Sequence, residues 1–205
     1  MKTQIITLFT ALVLGLGVAN TTYAATAKNT TENVTVLNDI TAISKIEVYG
    51  NVELYVSDGS KDQVKVYNKY YTEGALVQSK NGVLRISSYK AEKLVVWVTA
   101  NDLRAISAFD NSVVKSFGNL SKIEFEVDLH NNATAKLDLD AYSANVTVSD
   151  QAKANLSGTA SEFDLKCNNA GNVDQNNLIT KHASKTVLNT TASVKRSEID
   201  ELADL

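Results

Sequence analysis

Between Leu103 and Val194, apolar and polar residues alternate in short runs, and each run breaks at a polar pair or near-pair followed by a small residue. The breaks are Asp110-Asn111-Ser112, Asn131-Asn132-Ala133, Asp150-Gln151-Ala152, Asn169-Ala170-Gly171 and Thr190-Thr191-Ala192, so the small residues step by 21, 19, 19 and 21 positions. A strand shows one face at every second residue. Counting in twos from the small residue gives three mostly apolar rows. Six before it stand Ile106, Val127, Val146, Leu165 and Thr186, and four before it Ala108, Leu129, Val148, Cys167 and Leu188. Two after it stand Val114, Ala135, Ala154, Val173 and Val194. Between the rows lie Glu126, Asp128, Lys136, Asp138, Lys153 and Asp164. Each period predicts an inward-facing strand, a tight polar corner and a second inward-facing strand. Near-fixed self-similarity of this kind marks stacked coils, and a coil buries its apolar rows only against its neighbours.

The corner itself carries two signals. The small row leaves little side chain to fit inside a tight bend. The row two before it is Asp110, Asn131, Asp150, Asn169 and Thr190. Asn and Asp bond to nearby backbone and tolerate left-handed conformations, so this row reads as corner chemistry. A calcium- or ligand-binding stripe is the alternative reading.

Upstream, residues 43–100 read as consecutive strands. Ile46 and Val48, then Val52, Leu54 and Val56, then Val64 and Val66 alternate with polar neighbours. Asn81-Gly82 predicts a hairpin between Leu76–Lys80 and Val83–Ser88. Leu94–Thr99 is nearly continuous in apolar residues, which predicts a strand covered on both faces. The expected fold class is all-β: a parallel β-helix-like solenoid with coils of about twenty residues, preceded by meandering strands and hairpins.

The ends read differently. Lys2, the apolar run Ile5–Val18 and Thr22-Tyr23-Ala24 predict a signal peptide over residues 1–24, cleaved near Ala24 and Ala25. The apolar run is short and glycine-broken for a membrane span, so no span is expected after processing. Residues 25–42 read as a flexible leader and 43–196 as the β domain, divided into 43–100 and 101–196. Residues 197–205, opened by Ser197 and acidic neighbours, read as a tail or a short capping helix. The expected location is secreted, periplasmic or cell-surface.

Composition narrows function. A chain of 205 residues with 44% hydrophobic content can bury one sizeable core. A net charge of -3 and no basic block argue against nucleic acid as a partner. Cys167 is the sole cysteine and lies in an apolar row, so it reads as core rather than nucleophile. With it, His130 and His182 make no closed zinc site. No cofactor is expected, and the chain does not read as an enzyme. A polysaccharide-acting enzyme on a β-helix scaffold, with Asp138 and Asp140 as its test residues, and an envelope component of a signalling system are the alternatives. Asp138, Asp140, Asp164, Lys136 and Lys153 face outward but are mixed in sign, which is ordinary for a solvated strand face. The candidate binding residues are Tyr49, Tyr55 and Tyr67, which sit opposite the apolar face in the first half. Exposed tyrosines stack on sugars or grip a protein partner, so a glycan or surface protein is the expected ligand. Packing of that face on a second layer is the other reading.

Three stretches carry a resemblance. Ile46-Glu47-Val48-Tyr49-Gly50 opens the domain, Gly82-Val83-Leu84-Arg85-Ile86 follows, and Leu103-Arg104-Ala105-Ile106-Ser107-Ala108 leads into the coils. Over residues 43–194 the chain resembles the putative auto-transporter adhesin, head GIN domain family of exported bacterial proteins. The family's Ser-Gly-Ser-Gly corners are replaced here, and only Gly171 keeps a glycine at the small position. The resemblance implies a right-handed β-solenoid and adhesion or an envelope role, with no catalytic residues to carry over.

Overall fold

The computed structural model describes residues 34–37, 39–67 and 75–188. Their regular structure is β1 (Val34–Leu37), β2 (Lys45–Gly50), β3 (Val52–Asp58), β4 (Gln63–Tyr67), β5 (Ala75–Lys80), β6 (Val83–Ser88), β7 (Leu94–Ala100), β8 (Ala105–Ala108), β9 (Val113–Leu129), β10 (Thr134–Val148), β11 (Lys153–Cys167) and β12 (Val173–Val187). A 3-10 turn at Ala170–Asn172 joins the last two strands. The twelve strands form one sheet. The fold is all-β, as the alternation predicts.

The long strands pair in parallel at the offset read from the sequence. Thr134 opposes Val113 on one side and Lys153 on the other, and Ala154 opposes Val173. At the corners Asp110, Asn131 and Asp150 adopt φ of 60°, 60° and 58°. Their short polar side chains make that left-handed conformation affordable. Ser112, Ala133 and Ala152 follow each corner and are fully buried. The inward rows Ile106, Val127, Val146, Leu165 and Ala108, Leu129, Val148, Cys167 are buried in one continuous hydrophobic cluster. Backbone bonds stitch corner to corner: Asn132 N donates to Asp110 O, and Gln151 N to Asn131 O, both at 2.9 Å.

The step of 21 between Ser112 and Ala133 has a local cause. Lys115 opposes Lys136, yet Asn119 opposes Asp138, so β9 spends four residues where β10 spends two. The surplus is a bulge at Ser116-Phe117-Gly118. Ser116 Oγ accepts the Asp138 N–H at 2.9 Å, Gly118 has φ of 82°, and Phe117 is pushed out to 62% exposure. Bulges locally re-aim a side chain in this way.

The first half departs from the expectation of a meander. β2 lies parallel between β6 and β8, and β3 lies parallel between β7 and β9, so both continue the parallel ladders of the long strands. Spatial order also differs from chain order, because residues 83–100 stack outside residues 45–58. The sheet is mixed rather than purely parallel. β4 pairs antiparallel with β7 and β1, and β5 pairs antiparallel with β6. Alternation reports which face of a strand is buried but not the direction of its partner, so these pairings were not encoded in the pattern. The Asn81-Gly82 hairpin does form: Lys80 opposes Val83, with both turn residues at positive φ, 51° and 79°.

The cleavage position at Ala24 and Ala25, most of the leader, the Thr190-Thr191-Ala192 corner, Val194 and the 197–205 tail lie outside the described residues.

Candidate functional site

Because alternate residues of β2 and β3 fill the core, Glu47, Tyr49, Glu53 and Tyr55 must face outward, and the chain turns a corner between the two pairs at Gly50-Asn51. The structure therefore separates the predicted tyrosines. Tyr55 and Tyr67 share one outer face, and Tyr49 stands on another section of the sheet.

On the β3 side, Tyr55 stacks on Trp97 with ring centroids 4.7 Å apart and planes 19° from parallel. Tyr67 leans on the same indole at 6.3 Å, and Phe117, delivered by the bulge, meets it at 5.1 Å. Trp97 is thus the hub of a four-ring surface. Tyr55, Tyr67 and Trp97 are half-buried, and Phe117 is exposed. The tyrosine hydroxyl of residue 55 donates to Glu53 Oε1 at 2.9 Å. Lys115 Nζ reaches the same oxygen at 2.6 Å and sits 5.4 Å from the Tyr55 ring centroid. The Lys115 ammonium, helped by that hydroxyl, holds the Glu53 carboxyl below its ordinary pKa against the opposing effect of burial.

The β2 side repeats the arrangement with different partners. Tyr49 OH donates to Glu47 Oε2 at 3.3 Å, and Arg85 Nη2 reaches the same oxygen at 2.7 Å while lying 5.9 Å from the Tyr49 ring. Tyr49 stacks on Phe109 at 4.7 Å, and Phe109 stacks on His130 at 4.9 Å, each pair within 4° of parallel. The Arg85 hydrogen bond lowers the Glu47 pKa, and burial followed by the Glu47 charge raises that of Tyr49.

Several of the other residues singled out from sequence have structural partners. Asp110 Oδ2 accepts Gly50 N at 3.0 Å and Tyr89 OH at 3.2 Å, and Asp150 Oδ2 accepts Asn131 N at 2.9 Å. These corner carboxylates thus cap backbone N–H groups of neighbouring corners. Asp140 Oδ1 accepts Thr159 Oγ1 at 3.1 Å, and Asp138 Oδ1 accepts Ser157 Oγ at 3.4 Å. Cys167 is fully buried opposite Val148 and Val187. His182 Nδ1 pairs with Glu162 at 2.9 Å on the surface. Among the described residues no group of three His, Cys, Asp or Glu side chains is placed to hold a metal ion, and no helix is long and apolar enough to cross a membrane.

Trp97, Phe117 and Phe109 are not singled out by the sequence, and His130 is weighed there only as a zinc ligand. Trp97 was hidden in an apolar run read as covered on both faces. Its parity, opposite to Leu94, Val96 and Val98, places it with the outward tyrosines. Phe117 stands out because a bulge breaks its strand's alternation.

The model for the putative auto-transporter adhesin, head GIN domain matches residues 42–195. The chain belongs to that family. Solved structures agree on the fold of this head GIN domain. A putative adhesin from Bacteroides fragilis NCTC 9343 aligns at TM-score 0.63 and 19% identity, over 77% of this chain and 78% of the other. A putative adhesin from Parabacteroides distasonis ATCC 8503 aligns at 0.55 and 18%, over 75% and 77%. A putative lipid binding protein from the same strain aligns at 0.57 and 8%, over 75% and 77%. No curated protein matches.

Proposed function

We propose that this head GIN domain is an exported, non-catalytic adhesin of the cell envelope that contacts carbohydrate through the outer face of β3, β7 and β9. On this reading residues 1–24 are removed near Ala24, and the mature protein is secreted, periplasmic or surface-held. Its stacked strands then form a right-handed β-solenoid, a rigid platform for a surface partner.

One observation carries the carbohydrate reading: Tyr67, Trp97, Tyr55 and Phe117 form a continuous ring surface on a sheet face. Aromatic faces of this kind stack on the apolar faces of sugars, and a rigid sheet holds them without ordering cost. The competing reading, a polysaccharide-acting enzyme using Asp138 and Asp140, is disfavoured because both carboxylates already accept cross-strand hydroxyls.

The test is retention of the purified domain on immobilised cell-envelope polysaccharide, compared with a Phe117→Ala variant. Phe117 is exposed, so its loss leaves the fold intact. Equal retention of both proteins, or of neither, would count against this face. Turnover of polysaccharide, lost in Asp138→Ala or Asp140→Ala, would restore the enzyme reading.

A further inference from the structure

The ring surface sits inside a charged row that its four rings do not explain. Reading straight across the sheet, Lys65 opposes Trp97, Trp97 opposes Tyr55, Tyr55 opposes Lys115, and Lys115 opposes Lys136. Directly opposed residues point to the same side, so five neighbouring strands present cation, ring, ring, cation, cation. At a strand spacing of about 4.8 Å the row spans roughly 19 Å.

The balance of charge in the row is positive. Two acids flank it: Glu53, already engaged by Lys115 at 2.6 Å and Lys93 at 4.0 Å, and Asp138, two residues along β10 from Lys136, whose Oδ1 accepts the Ser157 hydroxyl at 3.4 Å. Neither Lys65 nor Lys136 forms an ion pair with a described residue, and the side chain facing Lys136 from β11 is the neutral Asn155. Like charges directly opposite on a ladder are unfavourable, yet Lys115 and Lys136 are so placed. They stand in a chain whose net charge is -3, so the patch is a local reversal of sign. Stability does not call for two abutting lysines at the edge of a ring surface. A ligand that is both ring-shaped and anionic does.

We infer that the Lys65–Trp97–Tyr55–Lys115–Lys136 row binds an acidic polysaccharide, one bearing carboxylate or sulfate groups along a chain of sugar rings. Trp97 and Tyr55 stack against a sugar face, Lys136 and Lys65 meet anionic substituents on either side, and Lys115 moves between Glu53 and the ligand. This rests on the carbohydrate reading of the same face and adds the charge of the ligand to it.

Two matched pairs of probes isolate that charge: dextran sulfate against dextran, and polygalacturonate against its methyl ester. The protein's single tryptophan is Trp97, so its fluorescence reports binding at the row itself. The expected result is a fluorescence change with both anionic probes and neither neutral one. Log affinity should fall linearly with log salt, as for other polyanions. Lys136→Glu should weaken binding by roughly fivefold or more and lower the salt slope by about one. Lys136 is exposed, so this variant keeps the fold. Lys166→Glu, an exposed lysine outside the row, should bind like the unaltered protein. Equal binding of dextran and dextran sulfate would overturn the acidic-ligand inference and leave the carbohydrate reading standing. Equal losses in Lys136→Glu and Lys166→Glu would overturn it by showing diffuse attraction. Binding to none of the four would overturn both.

Discussion

The Tyr55 hydroxyl donates to the Glu53 carboxylate at 2.9 Å, from two residues further along the same strand, and Tyr49 repeats the bond to Glu47 at 3.3 Å. Each glutamate is then bridged by a cation from the next strand, Lys115 or Arg85, which also lies near the tyrosine ring. The short motif Glu-x-Tyr, used once on either side of the Gly50-Asn51 corner, thus builds one cluster twice. The two copies diverge in what stacks on the tyrosine: Trp97 in one, Phe109 and His130 in the other.

That pairing sets an acid limit. Glu53 is held below its ordinary pKa first by the Lys115 hydrogen bond, and Glu47 first by that of Arg85. A carboxylate whose folded pKa is depressed stabilises the fold fully above its unfolded pKa, and that stability is lost as pH falls through the folded value. Urea midpoints should therefore hold steady down to about pH 5 and drop toward about pH 3. The Glu47→Gln/Glu53→Gln double variant should be less stable at neutral pH and lose less on acidification. A pH profile parallel to that of the parent would refute the assignment.

The glycines at positive φ divide by what surrounds them. Gly158 has φ of 96°, and a Cβ there would collide with the Leu139 carbonyl of the neighbouring strand. Gly118 has φ of 82° within the bulge, but a Cβ there meets nothing within 4 Å. Gly118→Ala should cost only the left-handed strain, about 1 kcal/mol. Gly158→Ala should cost clearly more, on the order of 3 kcal/mol, because β10 and β11 must separate. Denaturant unfolding of both variants checks the order, and a reversed order would show that the β10–β11 spacing is not fixed by this contact.

The legible part of this fold is the part where one physical requirement repeats. Corner residues at 110, 131 and 150 must tolerate a left-handed backbone, their followers must be small, and the rows between must be apolar. Each requirement recurs from one long strand to the next, so each leaves a periodic trace. The bulge at Ser116-Phe117-Gly118 left a trace as well, the step of 21 in place of 19, but the step alone does not say where the extra residues go. Partner direction left none, which is why β2 and β3 read as a meander. The candidate site was half-legible for the same reason. Tyr55 and Tyr67 follow from alternation, whereas their meeting at Trp97 depends on β4 and β3 both pairing with β7, a long-range choice.

Cys167 should behave as a core residue. It is fully buried in the row of Val148 and Leu129. A thiol reagent should label it only when the protein unfolds, with a rate that follows denaturant concentration. Cys167→Ser places a hydroxyl in an apolar row and should cost about 1–3 kcal/mol. Rapid labelling of the native protein would contradict the burial.

Lys122 and Asp58 provide the sharpest energetic test. The Lys122 side chain is 8% exposed, and its ammonium is bonded to Asp58 Oδ1 across the sheet. Asp58 Oδ2 accepts the Ser121 N–H at 2.6 Å, so one carboxylate ties the end of β3 to the middle of β9. Removing one member of a buried pair strands the other, whereas removing both with apolar replacements is nearly neutral by comparison. Asp58→Ala should therefore cost about 3 kcal/mol, because it leaves an ammonium buried without its counter-charge. Lys122→Met should cost less, since Asp58 is more exposed and keeps the Ser121 bond. The Asp58→Ala/Lys122→Met double variant should be more stable than Asp58→Ala alone, by about 1 kcal/mol or more. Denaturant unfolding of the four proteins closes the cycle. Simple additivity of the two single losses would mean that the pair contributes no coupling and that Lys122 is solvated in the native state.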